Sequence, residues 1–495
     1  MMYGEEKSDS LIVAANLANN PQGAEPVERR SGAKGNAEQP HMRRTQSRES
    51  MSQRLSRVRE AAKQRKKERF TALFHLLTAE ALENAFLSLS RKAAAGVDGV
   101  RWKDYAENLK VNIADLHRRL HQGSYRAQPG RRHYIPKADG KQRPLGIASL
   151  EDKIVQYALV KILNAVYEND FMGFSYGFRP GRSQHNALDA LATGLVRTNV
   201  NWVLDADISQ FFDKVSHEWL IRFIEHRIGD QRVIRLIRKW LTAGTSEEGE
   251  WRASEEGTPQ GAVISPLLAN IYLHYVFDLW AHQWRRRHAT GNVVMVRYAD
   301  DIVIGFDKRI DAQCFRIAMQ RRLKEFGLTV HPKKTRLMEF GRFAAENRAS
   351  RGKGKPETFN FLGFTHISGK DRSGRFMLIR KTRRDRMTAT LKAIKDGLRK
   401  RWHYSIPEQG KWLRRVVQGY LNYHSVPGNY PMMRKFRIYV TDLWRRALRR
   451  RSQQDDTTWT KANRLAAVWL PKVRVLHPWP VERFTARHPR QEPGA

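Results

Sequence analysis

The chain has 495 residues and carries 90 Lys and Arg against 50 Asp and Glu, a formal net charge of +40. Such a field repels itself in a compact state and is best explained by a polyanionic partner. Hydrophobic residues make up 41% of the chain, with 13 Trp and 21 Phe, which excludes global disorder. The length suggests several domains of roughly 150 residues each. The one cysteine, Cys314, excludes a disulfide framework and any Cys-based zinc site. No apolar run approaches the roughly 18 residues that suggest a spanning helix. Glu5, Glu6 and the short apolar stretch Leu11–Ala15 make a poor secretion signal. The expectation is a cytoplasmic protein with no membrane partner.

Residues 1–68 are rich in Asn, Gly, Gln, Ser and Arg and read as a disordered tail, basic from Arg43 to Arg69. A solvated tail and a nucleic-acid-binding arm are equally good readings of it. Residues 69–375 read as one unit. Phe70, Leu73, Phe74, Leu77, Leu82, Phe86 and Leu89 recur at helical spacing until Ala95–Gly99 breaks the pattern. A second helix is expected over 108–120. Between His133 and Ile147, Asp139-Gly140 predicts a hairpin turn between two short strands. Helical pattern returns over 150–168 and 183–197, and Trp202–Ile208 reads as a buried strand. A helix-rich stretch to Leu241 and a loop at Gly257–Gly261 follow. Ser265-Pro266 predicts a helix start, with Ser265 as N-cap and Pro266 at the first helical position. Val293–Phe306 reads as a hairpin with 299–301 at its tip. A helix over 311–326 and strands over 358–366 and 376–380 complete the unit. From 376 to 495 the pattern is helical and basic. Between Arg380 and Arg451 stand 21 Lys and Arg against Asp385, Asp396, Glu408 and Asp442, interleaved with Trp402, Trp412, Tyr420, Tyr423, Phe436 and Trp444.

Asp300-Asp301 at the tip of an apolar hairpin is an odd place for adjacent carboxylates, since like charges this close destabilise one another. Taken alone, the pair reads as ordinary turn chemistry. With its apolar flanks, and with Asp207 ending a second apolar strand, a metal site is the better reading. Three carboxylates on rigid strands can hold two Mg²⁺ ions, with Mn²⁺ as a possible substitute, of the kind used in phosphoryl transfer.

Tyr298-Ala299-Asp300-Asp301 resembles the Tyr-x-Asp-Asp box of reverse transcriptases, and its context fits. Residues 133–147 resemble the fingers motif with its Arg-Pro-Leu-Gly. Leu204–Asp213 resembles the motif carrying the first aspartate. Gly257–Trp280 resembles the Pro-Gln-Gly motif and its helix, and Gly327–Thr335 and Phe359–Phe364 resemble the two later motifs. Within that family, Ala93–Val100, the Ala of the Tyr-Ala-Asp-Asp box and Gly419–His424 resemble the group II intron reverse transcriptase/maturases. The resemblance covers about residues 70–480 and lacks a His-Asn-His-type nuclease domain.

The resemblance implies an α+β right-hand polymerase with fingers, palm and helical thumb, followed by a maturase domain. It implies Asp207, Asp300 and Asp301 as catalytic metal ligands, joined by the main-chain carbonyl of Ile208. Lys137 and Arg143 would clamp the incoming dNTP, Phe212 would stand under its sugar, and Gln260 would contact nucleotide and template. Lys334 would touch nucleic acid near the site. Arg399, Lys400, Arg401, Arg414, Arg415, Arg445, Arg446, Arg449 and Arg450 would face phosphates. The implied partners are an RNA template with a primer 3′-end, intron RNA and a DNA target. Two rivals remain: an RNA-binding splicing factor without polymerase activity, and a reverse transcriptase of retron-type, diversity-generating or defence-associated lineage. Whether the chain acts as a monomer or a homodimer stays open.

Overall fold

The computed structural model describes residues 50–136, 142–451 and 457–487. Ser50 caps the first helix, α1 (Met51–Gln64), by a reciprocal capping box with Gln53. The expectation of disorder up to residue 68 is therefore corrected; residues 1–49 lie outside the described residues. Composition hid this helix because a distant arginine holds its end. The buried Arg227 donates to the main-chain oxygens of Ala62, Arg65 and Glu68, and pairs with Asp170 at 2.8 Å. Next come α2 (Ala79–Ser88), α3 (Leu109–His121), the strands β1 (Gly130–Pro136) and β2 (Gln142–Ile147), and α4 (Leu150–Tyr167). β1 and β2 pair antiparallel down to Pro136 opposite Gln142. Lys137 and the expected Asp139-Gly140 turn lie outside the described residues.

The middle of the chain continues through α5 (Gln184–Arg197), β3 (Trp202–Asp207), α6 (His217–Arg227), α7 (Gln231–Thr242) and the small hairpin β4 (Thr245–Glu247) and β5 (Glu250–Arg252). Then α8 (Ser265–Leu273) runs through a π-type turn, His274–Asp278, into α9 (Leu279–Arg287). Ser265 is not the N-cap of α8. That position is Ile264, while the Ser265 hydroxyl donates to the Pro259 carbonyl at 2.8 Å and ties the helix to the preceding loop. The hairpin β6 (Val293–Tyr298) and β7 (Asp301–Phe306) forms as the pattern predicts, followed by α10 (Arg309–Glu325), β8 (Arg336–Glu339), β9 (Phe359–Phe361), β10 (Phe364–Lys370) and β11 (Phe376–Thr382).

Three sheets result, ordered β2-β1-β4-β5, β6-β7-β3-β8 and β11-β10-β9. The second is antiparallel and buries Val203, Leu204, Val294, Val296, Val303 and Ile304 against the surrounding helices. Alternation of side chains along a strand leaves its other positions free for chemistry. The chain is thus α+β.

A second apolar core, around Ile394, Leu413, Phe436, Val440 and Trp444, unites α11 (Arg384–Arg399), α12 (Ile406–His424), α13 (Tyr430–Arg449) and α14 (Trp459–Trp469). The expected boundary near 375 falls inside the β10–β11 hairpin, and the helical core starts at Met387. Nor is 376–495 a single unit. The last helix, α15 (Pro480–Arg487), returns to the first core, where Phe484 is buried and Arg483 pairs with the buried Asp189 at 2.9 Å.

Candidate active site

β3 and β7 pair so that Asp207 stands directly opposite Asp301. Directly opposed residues in antiparallel strands hold their Cβ atoms about 5 Å apart. Asp300 lies in the turn between β6 and β7, next to Ala299, whose φ of 58° is left-handed. The three aspartates singled out by the sequence thus converge where β3 ends and the hairpin turns. Their electrostatics agree. Desolvation pushes the Asp300 carboxyl up, and the Asp207 charge adds to this. Asp301 is open to solvent, yet protein atoms crowd it. Desolvation, then the charges of Asp300, Asp207 and Asp205, push it up to about 7.

Cations answer this negative cluster. The Lys334 ammonium donates to the Asp207 carboxylate at 2.9 Å, so Lys334 meets the carboxylate cluster itself. Arg143, exposed on β2, bears on Asp300. Ile208 is buried and bridges to Val330, which anchors the strand end beside Asp207. Phe212 is half-buried and edges onto the buried Phe211, with ring centroids 5.3 Å apart. Its carbonyl accepts from the Thr258 amide at 2.7 Å, and Gly257 has no room for a Cβ, which would meet that same oxygen at 2.9 Å. The Gln260 side chain donates to Asp213 at 2.6 Å, and its carbonyl accepts from the Gly146 amide at 2.7 Å. The Gln260 loop is thereby pinned both to the Phe212 loop and to the strand that bears Arg143.

Two groups of residues went unrecognised in the sequence. Asp205 lies two residues before Asp207, on the same face of β3, and desolvation pushes it up to about 6. The larger omission is a buried network under the turn that carries Asp300. Arg297, fully buried in β6, pairs with the fully buried Asp278 through Nε at 2.7 Å. It also donates to Asn270 Oδ1 at 3.1 Å, to Ser175 Oγ at 2.7 Å and to the Ala299 carbonyl at 3.1 Å. Asn270 donates in turn to the Gly177 carbonyl at 2.7 Å, and a Cβ on Gly177 would lie 2.3 Å from the Ala299 amide nitrogen. The signal was present: an arginine inside an apolar strand and an aspartate inside an apolar helix each require a buried partner.

Among the described residues, no group of three or more His, Cys, Asp or Glu side chains is arranged to hold a metal ion. Asp207 is held by Lys334 instead. The donor set nevertheless suits a hard divalent cation, being all carboxylate oxygen, with the Asp300 and Asp301 carboxyls held above the ordinary range.

Residues 135–366 match the family described as reverse transcriptase (RNA-dependent DNA polymerase). That span holds every aspartate of the site. The chain is 43% identical over 206 residues to Protein YkfC of Escherichia coli K12, covering 41% of this chain and 54% of that one. It is 37% identical over 223 residues to the group II intron-encoded protein LtrA of Lactococcus lactis, covering 44% of this chain and 37% of that one. It is 42% identical over 172 residues to a 91 kDa protein in the cob intron of Schizosaccharomyces pombe, covering 34% of this chain and 21% of that one. Over part of its length the chain is thus similar to a reverse transcriptase family and to proteins named as intron-encoded, LtrA among them. The matches span about half or less of the length of these relatives.

Beyond the reverse transcriptase match, the nine expected RNA-facing cations separate into three sets. Arg399, Lys400, Arg414, Arg415, Arg449 and Arg450 are exposed on the helical unit. Arg401 and Arg445 are half-buried and stack on Trp412 and Trp459 at 4.4 and 4.9 Å. Arg446 is exposed but pairs with Asp442 at 2.7 Å.

Proposed function

We propose that the chain is an RNA-directed DNA polymerase that extends a primer 3′-end along an RNA template with dNTPs. The observation that carries this reading is Asp207 opposite Asp301, with Asp300 in the adjoining turn, inside the span that matches the reverse transcriptase family. On this reading the sheet β6-β7-β3-β8 is the palm, the β1–β2 hairpin belongs to the fingers, and α11–α13 form the thumb. Asp207, Asp300, Asp301 and the Ile208 carbonyl would hold two Mg²⁺ ions, which would supply Lewis-acid stabilisation of the attacking and leaving oxygens. Arg143 offsets triphosphate charge, and Lys137 is proposed to share that role. Phe212 blocks the space of a ribose 2′-hydroxyl. Lys334 keeps Asp207 aimed into the site. The exposed cations of the helical unit hold nucleic acid by its phosphates, and the similarity to the group II intron-encoded protein LtrA makes intron RNA and its DNA target the partners of choice.

The test is primer extension on an RNA template with Mg²⁺, comparing the wild type with Asp300→Asn/Asp301→Asn, alongside RNA binding by both. Extension lost with RNA binding retained is the expected result. If neither protein extends while both bind RNA, the polymerase reading fails and a splicing factor without polymerase activity replaces it.

A further inference from the structure

The C-terminal halves of α11 and α13 enclose a cavity of about 100 Å³ between them. Leu398, Leu443 and Ala447 form its apolar floor, and Trp402, just past the end of α11, forms a wall. Lys395, Arg399, Arg446 and Arg450 surround it.

Trp402 and Trp459 are the tryptophans of this unit outside both apolar cores, and the Trp459 ring is covered by Arg445. Trp412, Trp444 and Trp469 pack in or against the helical core, whereas Trp402 belongs to neither apolar core. Its ring is half-buried at the cavity, and among the described residues no ring or cation is stacked on it. The rim is strongly positive. Asp442 neutralises Arg446, but Lys395, Arg399 and Arg450 are exposed and form no ion pair among the described residues.

Size and chemistry together define the ligand. A closed apolar cavity of about 150 Å³ accepts one benzene ring, so this smaller, partly open hollow takes at most one flat ring inserted from its open side and excludes a whole nucleotide. An indole wall offers a stacking face, and cations outside the opening suit phosphates that stay in solvent. A paired base has both faces covered and its edge engaged, so it cannot enter.

We propose that this cavity takes a single unpaired base from a nucleic-acid strand, stacked on Trp402, with the flanking phosphates on Lys395, Arg399 and Arg450. The proposal rests on the reading that the helical unit binds nucleic acid, and it adds a preference for unpaired over duplex segments.

The experiment is fluorescence anisotropy of the full chain with short labelled oligonucleotides: single-stranded RNA, single-stranded DNA of the same sequence, and blunt duplex RNA of equal length. Trp402→Ala should weaken single-stranded binding about tenfold and leave duplex binding within about twofold, given the usual contribution of one base–aromatic stack. Trp402→Phe, which keeps a stacking face, should recover most of the loss. A loss in either single-stranded arm supports the cavity and shows which strand supplies the base. Unchanged single-stranded binding, or an equal loss on the duplex, overturns the cavity while leaving nucleic-acid binding intact. Wild type that binds none of the three oligonucleotides overturns the underlying reading instead. Thermal unfolding of both variants confirms that the helical unit is folded.

Discussion

Arg297→Met is the most informative perturbation of the catalytic turn. It strands the Asp278 carboxylate, fully buried, together with acceptors at Asn270 and Ala299. Removing one partner of a buried pair costs about 3–5 kcal/mol, against a domain stability of roughly 5–15 kcal/mol. The single variant should therefore unfold much more readily in urea. The double variant Arg297→Met/Asp278→Leu should recover most of that loss, because a well-packed apolar pair can replace a buried ion pair at little net cost. It does not restore the donor that holds the Ala299 carbonyl, one residue from Asp300 and two from Asp301. Misplacing reacting groups by about 1 Å costs roughly a hundredfold in rate. The expected result is a double variant of near-wild-type stability whose primer-extension kcat is down about a hundredfold, with KM for dNTP little changed. Amide exchange at residues 298–301 should rise in the absence of any substrate. A stable double variant that extends primers at the wild-type rate and exchanges like wild type would refute a positioning role and reduce the network to fold stability.

Gly177→Ala places a Cβ 2.3 Å from the Ala299 amide nitrogen, so it should cost about 1–3 kcal/mol and depress polymerisation more than RNA binding; urea unfolding and primer extension check both. Burial holds His274 down to about 4, from an ordinary value of 6.5. Its contribution is complete above pH 6.5 and is lost as the pH falls toward 4, by about 3 kcal/mol, so His274→Leu should flatten the decline of urea stability with pH over that window. Arg227→Met removes the donors at the end of α1 and should open residues 51–68 to limited proteolysis before the remainder of the chain. Phe212→Ala should raise ribonucleotide incorporation relative to deoxynucleotide incorporation in primer extension with mixed substrates.

The hairpin that carries the carboxylate pair was legible because its signals are local. An apolar run interrupted by Asp300-Asp301 can only be a hairpin with its carboxylates at the tip, and the structure forms it with Tyr298 opposite Asp301. The pairing of Asp207 with Asp301 is a long-range fact, accessible beforehand only through resemblance. What was missed depends on contacts distant in sequence. α1 looks disordered until Arg227, more than 160 positions away, closes its end. The boundary near 375 followed the change in charge, but charge marks surface, whereas the hairpin β10–β11 and the return of Phe484 to the first core are set by packing. Sequence also cannot distinguish an arginine that stands free in solvent from one that covers a tryptophan, as Arg401 and Arg445 do.

Asp205 shows how the site is balanced. Alternation along β3 puts it beside Asp207, so that face carries two carboxylates in one strand, a third opposite in β7 and a fourth in the turn. Lys334 and Arg143 offset part of this charge, and Arg336, paired with Asp205 across β3 and β8, offsets more. The compensation is incomplete, since Asp205, Asp300 and Asp301 are all held above the ordinary carboxylate range. A raised carboxyl pKa means that the fold loses stability as pH rises from the unfolded value through the folded one. The fold therefore holds these carboxylates at a cost that grows toward neutral pH. Any ligand that binds only the folded cluster and carries positive charge returns that stability. On the proposed reading, the arrangement that makes the metal-free chain less stable is the same one that would hold a divalent cation.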